Sequence, residues 1–171
     1  MDNLPEYTGG LAYRSPIGWL RITTSSDGVR EVLFHDTEED EKGGNEFAAL
    51  APDPLCLETQ KQLEEYFSGK RALFDLPLDM AGTDFQLRVW KELLHIPFGR
   101  TISYRELSIR IGHTKAIRAV GHANGQNPLP ILVPCHRVIG SDGSLTGYGG
   151  GLWRKKDLLT LENCLPPELG F

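Results

Sequence analysis

A thiol, an imidazole and a guanidinium stand in succession in Pro134-Cys135-His136-Arg137-Val138-Ile139-Gly140. A cysteine that has lost its proton is a strong nucleophile, and histidine is the side chain that most often takes such a proton. The run therefore suits nucleophilic chemistry at sulfur. Pro134 fixes its own φ and pushes Val133 towards an extended backbone, so the thiol leaves a stiffened segment in a set direction. The competing reading is a small buried hydrophobe, because residues 129–133 are apolar. In an extended segment Cys135 and His136 point to opposite faces, so adjacency alone does not bring sulfur and ring together.

The 171 residues are 40% hydrophobic and 24% charged, as in ordinary globular proteins, and suffice for one large or two small domains. No apolar run approaches the length of a membrane helix. Asp2 and Glu6 break the basic-then-apolar order of a secretory signal. Cys56, Cys135 and Cys164 form no dense disulfide framework, and no Cys/His spacing suits zinc. The expectation is a reduced, cytoplasmic protein (nuclear in a eukaryote) without metal or cofactor. A net charge of −5 argues against nucleic acid, but its distribution argues the other way. Residues 1–80 hold 7 basic against 16 acidic side chains; residues 81–171 hold 11 against 7, with four of the five histidines. An acidic domain over 1–80 and a nucleic-acid-facing domain over 81–171 are expected.

The elements around the thiol follow from local pattern. Residues 11–34 alternate short apolar runs with turns at Ser15-Pro16-Ile17-Gly18 and Ser26-Asp27-Gly28, which predicts a β-meander. The acidic stretch 36–46 reads as a solvated loop, 57–67 as a helix with Gly69 just beyond it, and 76–83 as a linker. Thr83-Asp84-Phe85-Gln86 has the capping-box pattern, and Phe85, Val89 and Leu93 with Trp90 and Leu94 form a core stripe. Ser103-Tyr104-Arg105-Glu106 is a second such box and opens a short helix ending near Gly112. Thr114 is placed to cap a third helix from Lys115 to about Asn124. Two short helices around a glycine turn predict a helix-turn-helix. The small residues Ala116, Ala119, Gly121 and Ala123 let the second helix lie close to either a protein core or a DNA groove. Six glycines between Gly140 and Gly151 read as a tight hairpin, since a phosphate loop would need Gly-Lys-Ser/Thr. A last helix runs over 152–163. The fold expected is α+β: a small N-terminal antiparallel sheet with a helix, then a mostly helical, winged-helix-like DNA-binding domain.

Five short motifs occur in a telling order: Ile102-Ser103-Tyr104, Lys115-Ala116-Ile117-Arg118-Ala119-Val120-Gly121, Asn127-Pro128-Leu129-Pro130, Pro134-Cys135-His136-Arg137-Val138, and Tyr148 with Gly150-Gly151-Leu152. From about Phe85 to Glu162 the chain resembles the O6-alkylguanine-DNA alkyltransferases, or methylated-DNA–protein-cysteine methyltransferases. The resemblance implies one-step, irreversible transfer of an alkyl group from guanine O6, and from thymine O4, to Cys135. It implies a relay in which His136 receives the thiol proton through a water and Glu162 orients His136. Tyr104 would donate to the base ring and Asn127 would brace the active-site turn. Pro130, Val138, Tyr148, Gly149 and Gly150 would form the substrate pocket, its glycine wall roomy enough for benzyl. Arg118 would fill the space of a flipped-out nucleotide, with Ser103, Lys115, Ala116, Ala119 and Gly121 on the DNA face. The partner implied is double-stranded DNA carrying O6-alkylguanine, met from the minor groove by a monomer, with cooperative binding left open.

Two positions depart from the family pattern. Gly149 stands where serine or alanine is frequent, and His122 where a small residue is usual. The zinc ligands of some family N-termini are not recognisable. Two rival readings stay in view: a non-catalytic sensor of alkylated DNA on the same fold, and a cysteine hydrolase using Cys135.

Overall fold

The computed structural model describes residues 6–35 and 50–165. The expected acidic loop at 36–46 lies outside the described residues. The chain divides into two compact units, Met1–Ala81 and Gly82–Phe171.

The first unit is an antiparallel meander of β1 (Tyr7–Ser15), β2 (Gly18–Ser25) and β3 (Gly28–His35), covered by helix α1 (Pro54–Phe67). Ile22 faces Leu11 on β1 and Val32 on β3, and Leu20, Ile22, Val29 and Val32 are buried with Leu63 and Tyr66 of α1. α1 begins three residues before the predicted start. Asp53 accepts from the Cys56 amide at 2.8 Å and Pro54 pre-sets the first turn, so a cap and a proline outweigh the later apolar pattern. Gly69, at φ 77°, ends it as expected. Residues 76–83 are not simply a linker: Val29 donates to Pro77 O at 2.8 Å and accepts from Asp79 N at 2.9 Å, so this segment is pinned to β3.

The second unit is mostly helical. α2 (Asp84–Leu93) starts with the full capping box, Thr83 and Gln86 exchanging side-chain bonds. Val89, Trp90 and Leu93 are buried; Leu94, just past the helix, is 43% exposed and leaves the predicted stripe. A two-residue strand β4 (Ile102–Ser103) leads into α3 (Tyr104–Arg110), and a turn through Gly112 at φ 77° leads to α4 (Ile117–Gly125). Ser103 caps α3 through the Glu106 amide, but the Glu106 carboxylate pairs with Arg110 at 2.7 Å instead of closing the box. Thr114 does not cap α4: the helix starts after Ala116 with no side-chain cap, because the Ala116 amide is already used in a turn to His113 O. Trp90 Nε1 ties α2 to α4 through Ala123 O at 2.8 Å. After α4 come a 3-10 turn (Cys135–Arg137), β5 (Val138–Ile139) paired parallel to β4, and α5 (Leu152–Leu161). No hairpin forms between them. A tight turn closes Gly140 on Ser144, and 145–150 runs without strand pairing.

Candidate active site

The segment before the thiol is built on polar ties. Asn127 donates from Nδ2 to Val133 O at 2.7 Å and accepts at Oδ1 from Leu129 N at 2.9 Å. Leu129 O in turn accepts from Val133 N, closing the loop on itself. Inside it Ile131 sits at φ 74°, a left-handed conformation unfavourable for a β-branched residue. Such strain persists only where the surroundings over-determine it, and it clusters at functional sites. Pro134, at φ −81° and ψ 65°, forms an inverse γ-turn in which Cys135 N donates to Val133 O at 2.8 Å.

That turn corrects the extended reading. Residues 135–137 are a 3-10 turn, and Cys135, His136 and Arg137 are all buried. Nε2 of His136 lies 2.8 Å from Glu162 Oε1. An ionised carboxylate only accepts, so Nε2 carries the proton and Nδ1 the lone pair. Nδ1 is buried with no hydrogen-bond partner among the described residues. Arg137 clamps the same carboxylate with Nε at 2.8 Å and Nη2 at 2.9 Å, and its Nη1 donates to Ile96 O at 2.6 Å. Glu162 is the C-cap of α5, so the last helix fixes the carboxylate and the turn carries its partners to it.

Electrostatics define the resting state. Burial raises the Cys135 thiol to about 11, only partly countered by an Asn127 side-chain bond and the Lys155 charge. Burial also lowers His136 despite Glu162. Glu162 pays a burial penalty, but its bonds from His136 and Arg137 bring it down to about 2. The ground state is therefore a neutral thiol and a neutral imidazole beside a carboxylate–guanidinium pair.

Tyr104, at the head of α3, donates to Thr146 O at 2.8 Å. Lys155 of α5 is fully buried; its Nζ donates to Val138 O at 2.6 Å, Thr146 O at 2.9 Å and Tyr104 OH at 3.3 Å. Burial lowers it to about 8, with an opposing pull from Cys135. A cleft of about 280 Å³ opens beside this knot, lined by Tyr104, Ile117, Gly121, Thr146 and Gly147. Of the expected site residues, Tyr104 and Gly121 line it, whereas Pro130, Val138, Tyr148, Gly149 and Gly150 do not. Lys155 and Tyr104 hold Thr146 at the cleft, while Arg154 draws Gly150 O back to α5 at 2.8 Å. Pro130 and Val138 are buried, and Gly149 lies where an added methyl would meet Gly125 O at 3.4 Å.

On α4, Arg118, Ala119 and His122 are exposed, as is Lys115 just before it; Ala116 and Gly121 are half-buried. This face does not pack into the core. Val120, Ala123 and Asn124 do, and Asn124 donates to Cys135 O at 3.3 Å, so the helix and the thiol-bearing turn are joined. Ser103 spends its hydroxyl on the helix cap. The sequence reading passed over Arg137, Lys155 and Asn124. Arg137 stood in the reactive motif itself, and Lys155 falls on the apolar side of its helix, at i−3 and i−4 from Leu158 and Leu159. That spacing was a usable signal.

Two family models match the chain: "6-O-methylguanine DNA methyltransferase, DNA binding domain" over residues 84–164 and "6-O-methylguanine DNA methyltransferase, ribonuclease-like domain" over residues 11–80. The chain belongs to the 6-O-methylguanine DNA methyltransferase family. A methylated-DNA–protein-cysteine methyltransferase of Methanosarcina barkeri is 58% identical over 86% of this chain and 92% of its own length. One of Mycobacterium tuberculosis is 56% identical over 68% of this chain and 71% of its own. A crystal structure of the Mycobacterium tuberculosis O6-methylguanine methyltransferase superposes with a TM-score of 0.78 at 44% identity, covering 94% of this chain and 96% of that one. The Mycobacterium tuberculosis protein in complex with DNA gives 0.78 at 45% identity, covering 92% and 94%. The α+β methyltransferase fold is thus that of the family. Among the described residues no helix is long and apolar enough to cross a membrane, and no group of three or more His, Cys, Asp or Glu could hold a metal.

Proposed function

We propose that this chain repairs DNA by direct reversal, taking the alkyl group from O6 of guanine, and also from O4 of thymine, onto Cys135. The observation that carries the reading is the buried His136–Glu162 pair beside a buried Cys135 in a chain of this family, with Nδ1 of His136 left as the basic atom. The thiol proton passes to Nδ1 through a water. The imidazolium formed is balanced by Glu162, as in serine-type triads with sulfur as nucleophile. The thiolate then attacks the alkyl carbon: an S–C bond forms while the C–O6 bond breaks, and guanine leaves with the electron pair. Tyr104 exchanges its Thr146 bond for a hydrogen bond to the base ring and meets the growing negative charge; the departing guanine anion takes a proton from solvent, and His136 later returns the thiol's proton to solvent. The product is S-alkylcysteine, so each molecule acts once.

The alkyl carbon is out of reach inside a stacked duplex, so the nucleotide is flipped out. Arg118, exposed on α4 beside Ala119, fills the gap it leaves. Close approach of a small-residue helix with few base-edge contacts suits the minor groove and a protein indifferent to sequence. Pro130, Val138, Tyr148, Gly149 and Gly150 act in the pocket once the 145–150 segment shifts around the base.

Intact mass after exposure to a duplex with one O6-methylguanine tests the reading. One methyl per chain, mapped to Cys135 and abolished by Cys135→Ser with folding and DNA binding retained, is the expected result. Repeated product release would instead indicate a hydrolase, binding without any adduct a sensor, and label on Cys56 or Cys164 a wrong nucleophile.

A further inference from the structure

Ile117 is a large apolar side chain left 41% exposed in the first turn of α4, and it lines the cleft beside Tyr104. Gly121, one turn along the same face, puts no side chain between them: a methyl there would lie 3.6 Å from the Tyr104 ring. Thr146 and Gly147 form the other side. Cys135 is not among the lining residues and is only 5% exposed, but its charge acts on Tyr104 of the cleft wall, so on the reading above the base passes Tyr104 to reach the thiol. At about 280 Å³ it falls at the small end of ligand pockets, room for part of a nucleotide. Arg118, the next residue, is exposed outside it.

Position along this route decides what meets Ile117. With the base at Cys135 and the strand at Arg118, the piece between them is the sugar. Resting on the alkyl-transfer reading above, we propose that Ile117 is the wall against which the deoxyribose of the flipped nucleotide packs, and that it selects deoxyribose over ribose. The ring carbons of deoxyribose offer an apolar face. A β-branched side chain is stiff at χ1 and makes a fixed wall. A 2′-hydroxyl pressed against it loses water without gaining a partner, which is how a site tells RNA from DNA at one nucleotide.

Three substrates separate this role from others: free O6-benzylguanine, a single-stranded oligodeoxynucleotide carrying O6-benzylguanine, and the same strand with that one residue as a ribonucleotide. Adduct formation is followed by intact mass over a concentration series. The wild type should favour the deoxy strand over the ribo strand by about tenfold or more. Ile117→Ala should raise the half-saturating concentration of the deoxy strand about tenfold, with the limiting rate and the free-base reaction unchanged. Ile117→Thr, which keeps the β-branch and supplies a hydroxyl, should narrow the deoxy/ribo ratio. An equal loss on the free base would make Ile117 part of the base pocket or the fold and overturn the proposal. So would no loss on the deoxy strand, or a ratio untouched by threonine. Refusal of benzyl from every substrate would mean that the pocket is closed to benzyl, and the same deoxy/ribo comparison made with O6-methylguanine then decides the proposal; refusal of methyl as well would remove the alkyl-transfer reading itself.

Discussion

At the residue scale the site is a problem of timing. Cys135 rests as a thiol because burial disfavours its anion, and the pull of Lys155 is not enough to reverse that. On the proposed chemistry the proton therefore leaves when the substrate arrives, through an imidazole that is also neutral at rest. Glu162 makes this possible only as an anion, and Arg137 helps keep it one. Glu162→Gln should slow alkylation by about a hundredfold or more, the usual size of a general-base contribution, and shift the pH–rate profile to higher pH. It should also lower stability, because Arg137 then stays buried without its charge partner. An unchanged pH–rate profile would refute the role given to Glu162. Cys135 and His136 stood out in the motif itself, whereas Glu162 was singled out only through the family resemblance; the fold brings it within 2.8 Å of His136 Nε2. Arg137 and Lys155 were harder, because a sequence shows which charges exist but not which ones the fold will bury.

Among the elements, α4 does two jobs with two faces. Its buried face holds Ala123, bonded to Trp90, and Asn124, bonded to the thiol-bearing turn. Its exposed face holds Arg118 with Ile117, Ala119 and His122. Arg118→Ala should impair repair of a duplex by at least about tenfold and leave reaction with free O6-benzylguanine unchanged, since only the duplex has a gap to fill. Equal losses measured on both substrates would make Arg118 structural. The strands, the α2 capping box and the helix-turn-helix were readable because turn residues and caps act locally. The start of α4 was not. Thr114 looked like a cap, but a turn from Ala116 to His113 fixed the backbone first. The glycine segment misled for a related reason. Glycine marks where a chain bends without saying what it bends towards, and here the targets are Lys155 and Arg154.

For the whole molecule, buried ionisable groups make stability depend on pH, and their signs differ. Glu162 is depressed from its ordinary 4.5 to about 2, so its contribution is complete above pH 4.5 and is lost as pH falls through 2. Lys155, lowered from 10.5 to about 8, favours the folded state increasingly as pH rises between those values. Cys135, raised from 9.0 to about 11, does the opposite, its contribution falling as pH rises from 9 to 11. Cys135→Ala, or prior methylation, removes the last of these, and it also removes the thiolate's upward pull on Lys155, which acts in the same direction on stability. Relative to the unmodified wild type, either form should therefore gain on the order of 1–3 kcal/mol in unfolding free energy between pH 9 and 11. Urea melts across that range would show it, and parallel curves would mean that the thiol is not held neutral in the fold.

The neutral, covered thiol also bears on how the molecule survives until it is needed. Peroxide and disulfides react with thiolates, and an exposed low-pKa cysteine would be consumed by them. A protein that can be used once loses everything to such a side reaction. Cys164, partly exposed, is the softer target even though burial raises its thiol too. Under mild hydrogen peroxide, peptide mapping should find oxidation at Cys164 well before Cys135, with alkyl-accepting capacity still near full when Cys164 is spent. Such a resting state gives the thiol a long shelf life among oxidants, and on the proposed chemistry only a bound alkylated base sets it off.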